Sequence, residues 1–243
     1  VQQLEVDSPQ GEVRFAGNVS EADTYAGEGS GRFRWNVGES TYAGTIEAHA
    51  KADDAVIDLG LSSPLRADLG IRLKQNDSLP WTFTFRVPSF DPRESLMPDS
   101  SWESLAADLT GNGTLERGVV QGRIVLNGEP FEFERLAFER SEESLQLALL
   151  MAVGGGRLEA QGDVQLASEP TAAKMTATWN DISIPEQFAG QALRTEGSLN
   201  FDGSSDAYQA TGRMKLGPPD QVADIELDVR GSPSSVVLDQ FDI

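Results

Sequence analysis

Cysteine is absent from the 243 residues, and histidine occurs once, as His49. Without thiols the chain has no disulfide, no thiolate metal site and no cysteine nucleophile, though this alone does not fix the compartment. The single imidazole lies between Ala48 and Ala50, on what reads as the polar side of a strand. It reads as a surface histidine, and no Ser/His/Asp set can be completed around it. Basic residues are scarce: 19 Lys and Arg stand against 39 Asp and Glu, a net charge of −20. That balance argues against nucleic acid, whose binding calls for a basic stripe, and against lying flat on an anionic membrane surface. Long apolar runs are missing as well. The longest, Leu147 to Val153, falls far short of the roughly 18 residues that a membrane-crossing helix needs.

Other chemistry is equally thin. Gly154-Gly155-Gly156 lacks the Lys-Ser/Thr of a phosphate-binding loop. The acidic pairs Asp53-Asp54 and Glu142-Glu143 fall in turn-like stretches and read as solvated charge rather than as a general acid and base. Asp202-Gly-Ser-Ser-Asp206 has oxygen donors but not the spacing of a calcium loop, and reads as a turn. No enzymatic activity, metal or cofactor is expected.

What the chain does have is alternation with a period of two, over and over. Phe33 and Trp35, then Ile46, then Ile57 and Leu59 fall in apolar registers, with polar residues between most of them. Leu69 and Ile71, Phe83 and Phe85, and Ile124 continue the series. Leu147 and Leu149, Leu158 and Val164, and Trp179 follow; then Leu199 and Phe201, Met214, and Ile225 and Leu227. Such one-sided alternation predicts strands with one apolar and one wet face. The pattern lapses from Pro88 to about Asp108, where Asp91-Pro92 predicts a capped helical turn. Pro98 would limit that turn, and a second is expected between Ser100 and Leu105, anchored by Trp102. A shorter excursion is expected from Pro185 to Gln191, and Asn127-Gly128 signals a hairpin.

The alternation also repeats at longer range. Gly31, Phe33, Trp35 and Tyr42 match Gly197, Leu199, Phe201 and Tyr208 at one shared offset of 166 residues, and Gly113-Thr-Leu115 lies near the midpoint. The chain reads as one β-unit of about 80 residues used repeatedly, with segments of roughly 1–108, 109–192 and 193–243. The expectation is a single all-β segment of about fourteen to sixteen strands, cut from a longer protein. Tyr42 and Tyr208, at the same place in the repeated strand, are both expected to pack. Two arrangements fit an apolar face of this kind: an open sheet, or a closed sandwich serving as a glycan- or protein-binding module.

Ala177-Thr-Trp179-Asn-Asp-Ile182-Ser-Ile184-Pro185, Leu193-Arg-Thr-Glu-Gly197-Ser-Leu199 and Gly203-Ser-Ser-Asp-Ala-Tyr208 together resemble the TamB family, within the wider AsmA-like group. The shared pattern is a Trp-bearing strand, a short Pro-bearing excursion, a Gly-x-Leu strand and a Gly…Tyr turn. Asp91-Pro92 and Val229-Arg-Gly231-Ser-Pro233 have the same style. The resemblance implies a β-taco, an elongated bent sheet akin to an opened jelly roll, with a concave apolar groove and helical turns at its rim. It implies a periplasmic location, an inner-membrane anchor on a segment outside this sequence, and an outer-membrane barrel partner, TamA. It further implies passage of phospholipid acyl chains along the groove, or help with protein assembly in the outer membrane. The apolar registers named above would then line the groove.

Overall fold

The computed structural model describes the chain apart from residues 1, 22–24, 39, 52, 95–101, 205, 233–234 and 243. The fold is all-β, with seventeen strands among the described residues, paired antiparallel within each of two units. The first eight are β1 (Gln2–Ser8), β2 (Gly11–Glu21), β3 (Tyr25–Val37), β4 (Ser40–Lys51), β5 (Asp54–Ser63), β6 (Ala67–Lys74), β7 (Trp81–Phe90) and β8 (Leu105–Gly113). Then come β9 (Arg117–Leu126), β10 (Glu129–Arg140), β11 (Ser144–Val153), β12 (Gly156–Gln165) and β13 (Ala172–Ile184). The last are β14 (Leu193–Ser204), β15 (Tyr208–Gly217), β16 (Ala223–Ser232) and β17 (Ser235–Asp242). The alternation missed β1, whose Leu4 and Val6 make too short a pattern to stand out.

The chain divides into two compact units. One comprises Val1–Leu115 with Gly122–Gly128, the other Glu116–Gln121 with Glu129–Ile243. In the first, each strand from β1 to β8 pairs with its successor in the chain. In the second, β10 to β17 do the same. Each set is a meander, which is what short turns between antiparallel strands favour. The turns carry the residues that tight hairpins need: Asn127 (φ 50°) with Gly128 (φ 85°), and Gly154 (φ 56°) with Gly155 (φ 79°).

The apolar alternation changes parity in several strands, and the ladders show why. In β7 it passes from Val87 to Phe90, and Pro88 and Ser89 together oppose Ala106 alone. In β10 it passes from Phe133 to Leu136, and Glu134 is the extra residue. In β13 it passes from Trp179 to Ile182, and Asn180 and Asp181 oppose only Glu196, with Asp181 at φ 53°. Each is a β-bulge, and the added residue returns the following apolar side chains to the same face. Pro88 costs no ladder bond that a regular strand would have needed at this position.

Both excursions contain one helical turn. Pro92–Glu94 is a 3₁₀ turn started by Asp91, whose Oδ1 accepts the Arg93 backbone N–H at 2.9 Å; Pro92 is fully buried. The helix α1 (Glu186–Ala189) follows Pro185 and is closed by Gly190 in the left-handed region, its N–H donating to the Glu186 carbonyl. Of the turn expected before Leu105, Ser100 and Ser101 lie outside the described residues, as does Pro98; Trp102 to Ser104 are not helical and Leu105 opens β8. Ser205 and Pro233 are likewise outside.

Gly31 and Gly197, equivalent in the repeat, share a steric reason. A Cβ on Gly31 would sit 2.6 Å from the Arg14 carbonyl oxygen and 2.9 Å from the Phe15 ring. On Gly197 it would sit 2.6 Å from the Arg213 carbonyl oxygen and 2.7 Å from the Met214 Cβ. Backbone cannot swing away as a side-chain tip can. Gly31→Ala and Gly197→Ala are each expected to cost about 1–3 kcal/mol by overpacking, read from denaturant midpoints. Ser198→Ala, on the opposite face, is the control, expected to stay within about 0.5 kcal/mol. Unchanged midpoints for both glycine variants would refute the shared role.

Candidate functional site

Residues directly opposed in an antiparallel ladder point to the same side of the sheet. In the first unit, one such row runs Phe15, Gly31, Ile46, Leu59, Leu69, Phe85, Leu109. Beside it runs Gly17, Gly29, Ala48, Ile57, Ile71, Phe83, Gly111. Phe33 opposes Val13 and Gly44 on the same side, and Trp35 opposes Gly11 and Tyr42. Ile124 packs against the small cluster of Ala67, Val87 and Ala107. In the second unit the rows are Leu149, Ala160, Ala177, Leu199, Gly212, Leu227 and Met151, Leu158, Trp179, Gly197, Met214, Ile225. Leu147 and Phe201 share a third row, and Val164 a fourth. Every residue expected to line a groove thus lies on one apolar face of its own unit. The same face holds Phe15, Trp81, Leu109, Met151 and Met175, which follow the identical alternation.

That face is not a closed core. Among the described residues the buried hydrophobic side chains are Ala67, Val87, Ala107 and Met151, with Pro92 in the excursion. The candidate lining residues are half-buried, and Trp35 is 36% exposed. Their cover comes from the sheet itself. The ring of Phe83 lies across Gly111, where an added Cβ would come within 2.4 Å of it, and Trp81 stacks on Phe83 at 5.9 Å. Tyr208 lies across Gly231 and stacks on Phe201 at 5.8 Å. The tyrosines therefore pack differently: Tyr42 directly opposes Trp35, whereas Tyr208 opposes Gly203, a two-residue difference in hairpin register. Indole N–H groups are satisfied at the margins, Trp81 Nε1 on the Thr114 carbonyl and Trp179 Nε1 on Thr195 Oγ1, both at 2.8 Å. The apolar floor carries no stranded donor there.

The other face is wet and charged. Arg86 bridges Asp108 at 3.0 Å, Arg213 bridges Glu226 at 2.9 Å and Lys215 bridges Glu196 at 2.9 Å, each across neighbouring strands. These exposed pairs set register more than they add stability. Hydrogen bonding to Glu196 raises the Lys215 pKa, and the Arg93 side chain holds the Asp91 carboxyl below the usual carboxylate range. His49 is exposed, opposite Glu28 and Val56, and Leu150 opposes Arg135 and Glu159. Asp202 bridges Lys174 at 3.1 Å. No group of three or more metal-ligating side chains converges among the described residues.

Comparison with protein-family models, with curated proteins and with solved structures finds no match. Among the described residues no helix is long and apolar enough to cross a membrane.

The ends of β2 to β5 carry small residues in the apolar rows. There Gly17, Gly27, Gly29, Ala48, Ala50 and Ala55 replace large side chains and leave an open trough of about 610 Å³ walled by Phe15 and Ile57.

Proposed function

We propose that the chain is a TamB-like conduit segment that carries phospholipid acyl chains along its apolar face. It would act in the periplasm, within a longer inner-membrane-anchored protein that meets the outer-membrane barrel TamA, and so support outer-membrane biogenesis and protein assembly there. One observation carries this reading: in each unit the apolar rows continue from strand to strand, half-buried, with no second layer over them among the described residues. Water-facing apolar surface on this scale marks a place where something apolar binds. Burial is worth about 0.8 kcal/mol per methylene, so a sixteen-carbon tail gains up to roughly 12 kcal/mol if fully covered. An open face covers less of the tail, and equivalent rows let it move from one to the next without a deep trap.

Side-specific crosslinking tests the proposal. A photoreactive residue at Phe83 or Leu199 is expected to capture phospholipid, and one at Thr84 or Asn200, on the wet face, is not. Equal capture from both faces, or none from either, would refute it.

A further inference from the structure

We infer that the apolar face of the first unit has a built wall at one margin, over β5 to β8, and that acyl tails crossing these strands are confined to the two rows beside it. The inference rests on the conduit reading and adds a boundary to it. The wall stands on the row that follows Phe85, where Leu61 opposes Ala67 and Val87 opposes Ala107. Ala67 and Ala107 are as small as residues that line the trough over β2 to β5, and alone they would leave a similar hollow. Instead Ala67, Val87 and Ala107 are only 2%, 5% and 7% exposed. Leu65, from the turn before β6, packs against them together with Phe90, Leu105 and Ile124. The two neighbouring rows, one through Leu69 and Phe85 and one through Ile71 and Phe83, are half-buried. On β3 the wall's own row carries Phe33, half-buried again, so the wall ends before it.

The wall gives the excursion after β7 a purpose. Phe90 and Leu105, directly opposed beyond the bulge, are its two feet. Pro92 is fully buried between them in sequence. Arg93 donates through Nη2 to Asp91 at 2.6 Å and through Nη1 to Glu103 at 3.1 Å. One guanidinium thus joins the chain leaving β7 to the chain entering β8. Asn127, in the turn after β9, holds the second foot. Its Oδ1 accepts the Glu103 and Ser104 N–H groups at 2.7 and 3.2 Å, and its own N–H donates to the Ser104 carbonyl at 2.9 Å. Feet fixed in this way keep Phe90 and Leu105 packed against the alanines. A tail entering the wall's row must displace side chains that already fill it, whereas on the neighbouring rows it covers surface that faces water.

The test uses the purified chain and a phosphatidylcholine with a diazirine in one tail, in neutral detergent micelles, with adducts located by mass spectrometry. Adducts are expected on Ile57, Ile71 and Phe83, and at least about tenfold fewer on Ala67, Val87 and Ala107. Phe90→Ala, with its circular dichroism retained, is expected to bring adducts to Val87 and Ala107. A second measurement needs no lipid. Because the chain has no cysteine, a single thiol reports its own accessibility. Val87→Cys is expected to react with a small water-soluble maleimide at least about tenfold more slowly than Ile71→Cys, and Arg93→Ala to speed Val87→Cys by about two- to fivefold. Wild-type adducts as frequent on Val87 as on Phe83, or equal thiol rates, overturn the wall and leave the conduit standing. No response to Arg93→Ala, or to a folded Phe90→Ala, overturns the role given to the excursion's feet. Adducts on no row overturn the conduit, and the confinement of tails with it.

Discussion

Leu199→Arg is expected to keep the β-rich circular dichroism and most of the thermal stability while abolishing lipid capture along its row. Leu199 is half-buried between Ala177 and Gly212 on the neighbouring strands, and both are small. An arginine there can lay its methylenes across Gly212 and carry its guanidinium into water. Loss of the leucine contacts costs about 1–2 kcal/mol. For a tail moving along the row the change is far larger, since it cannot pass a hydrated guanidinium without giving up its own burial. In a closed sandwich the same substitution would leave a charge buried and unpaired, at a cost of several kcal/mol. Melting and crosslinking on one variant therefore separate the alternatives. An unfolded Leu199→Arg chain supports a covered core, and a folded one that still captures lipid at Leu227, in the same row, refutes the conduit at this row.

Much of this face was legible in the residues because a period of two needs only local sequence. Phe83 and Phe85, or Leu199 and Phe201, declare their side wherever the strand lies. Which strands neighbour one another is not local, and the meander came only with the ladders. The bulges lie between these extremes. The passage from Trp179 to Ile182 is visible as a parity change, but an interrupted strand and a bulged one read alike until Gly197 and Thr195 appear as successive partners. The trough was hidden for another reason. Gly17, Gly29 and Ala48 are weak apolar signals individually, and only their alignment across three strands makes a depression. Tyr42 and Tyr208 show the limit of the repeat: one offset relates their sequences, yet a hairpin register differing by two residues gives them different partners.

Deletion of Asp181 and deletion of Thr176, both in β13, are expected to have opposite consequences. Asp181 belongs to the pair that opposes Glu196 alone, so the strand has one residue more than its partner there. Without it, Trp179, Asn180 and Ile182 alternate regularly, and Ile182 and Ile184 still reach the apolar face. The exposed bridge from Arg194 to Asp181 is lost, which matters little. A cost of about 1 kcal/mol is expected, from the local twist that the bulge supplied. Thr176 sits in regular register with Gln161 on one side and Asn200 on the other. Removing it turns either Ala173 and Met175 or Ala177 and Trp179 to the wet face, and it brings polar neighbours to the apolar one. Because β12 and β14 hold β13 from both sides, a compensating bulge must disturb two ladders at once. The expected loss is about 3–5 kcal/mol, from the apolar cross-strand contacts given up. Chemical denaturation of the two deletion variants measures the difference directly. Equal losses would mean that the bulge does not set the face of the strand; a larger loss for the Asp181 deletion would mean that its backbone kink, rather than side-chain parity, is what the fold requires there.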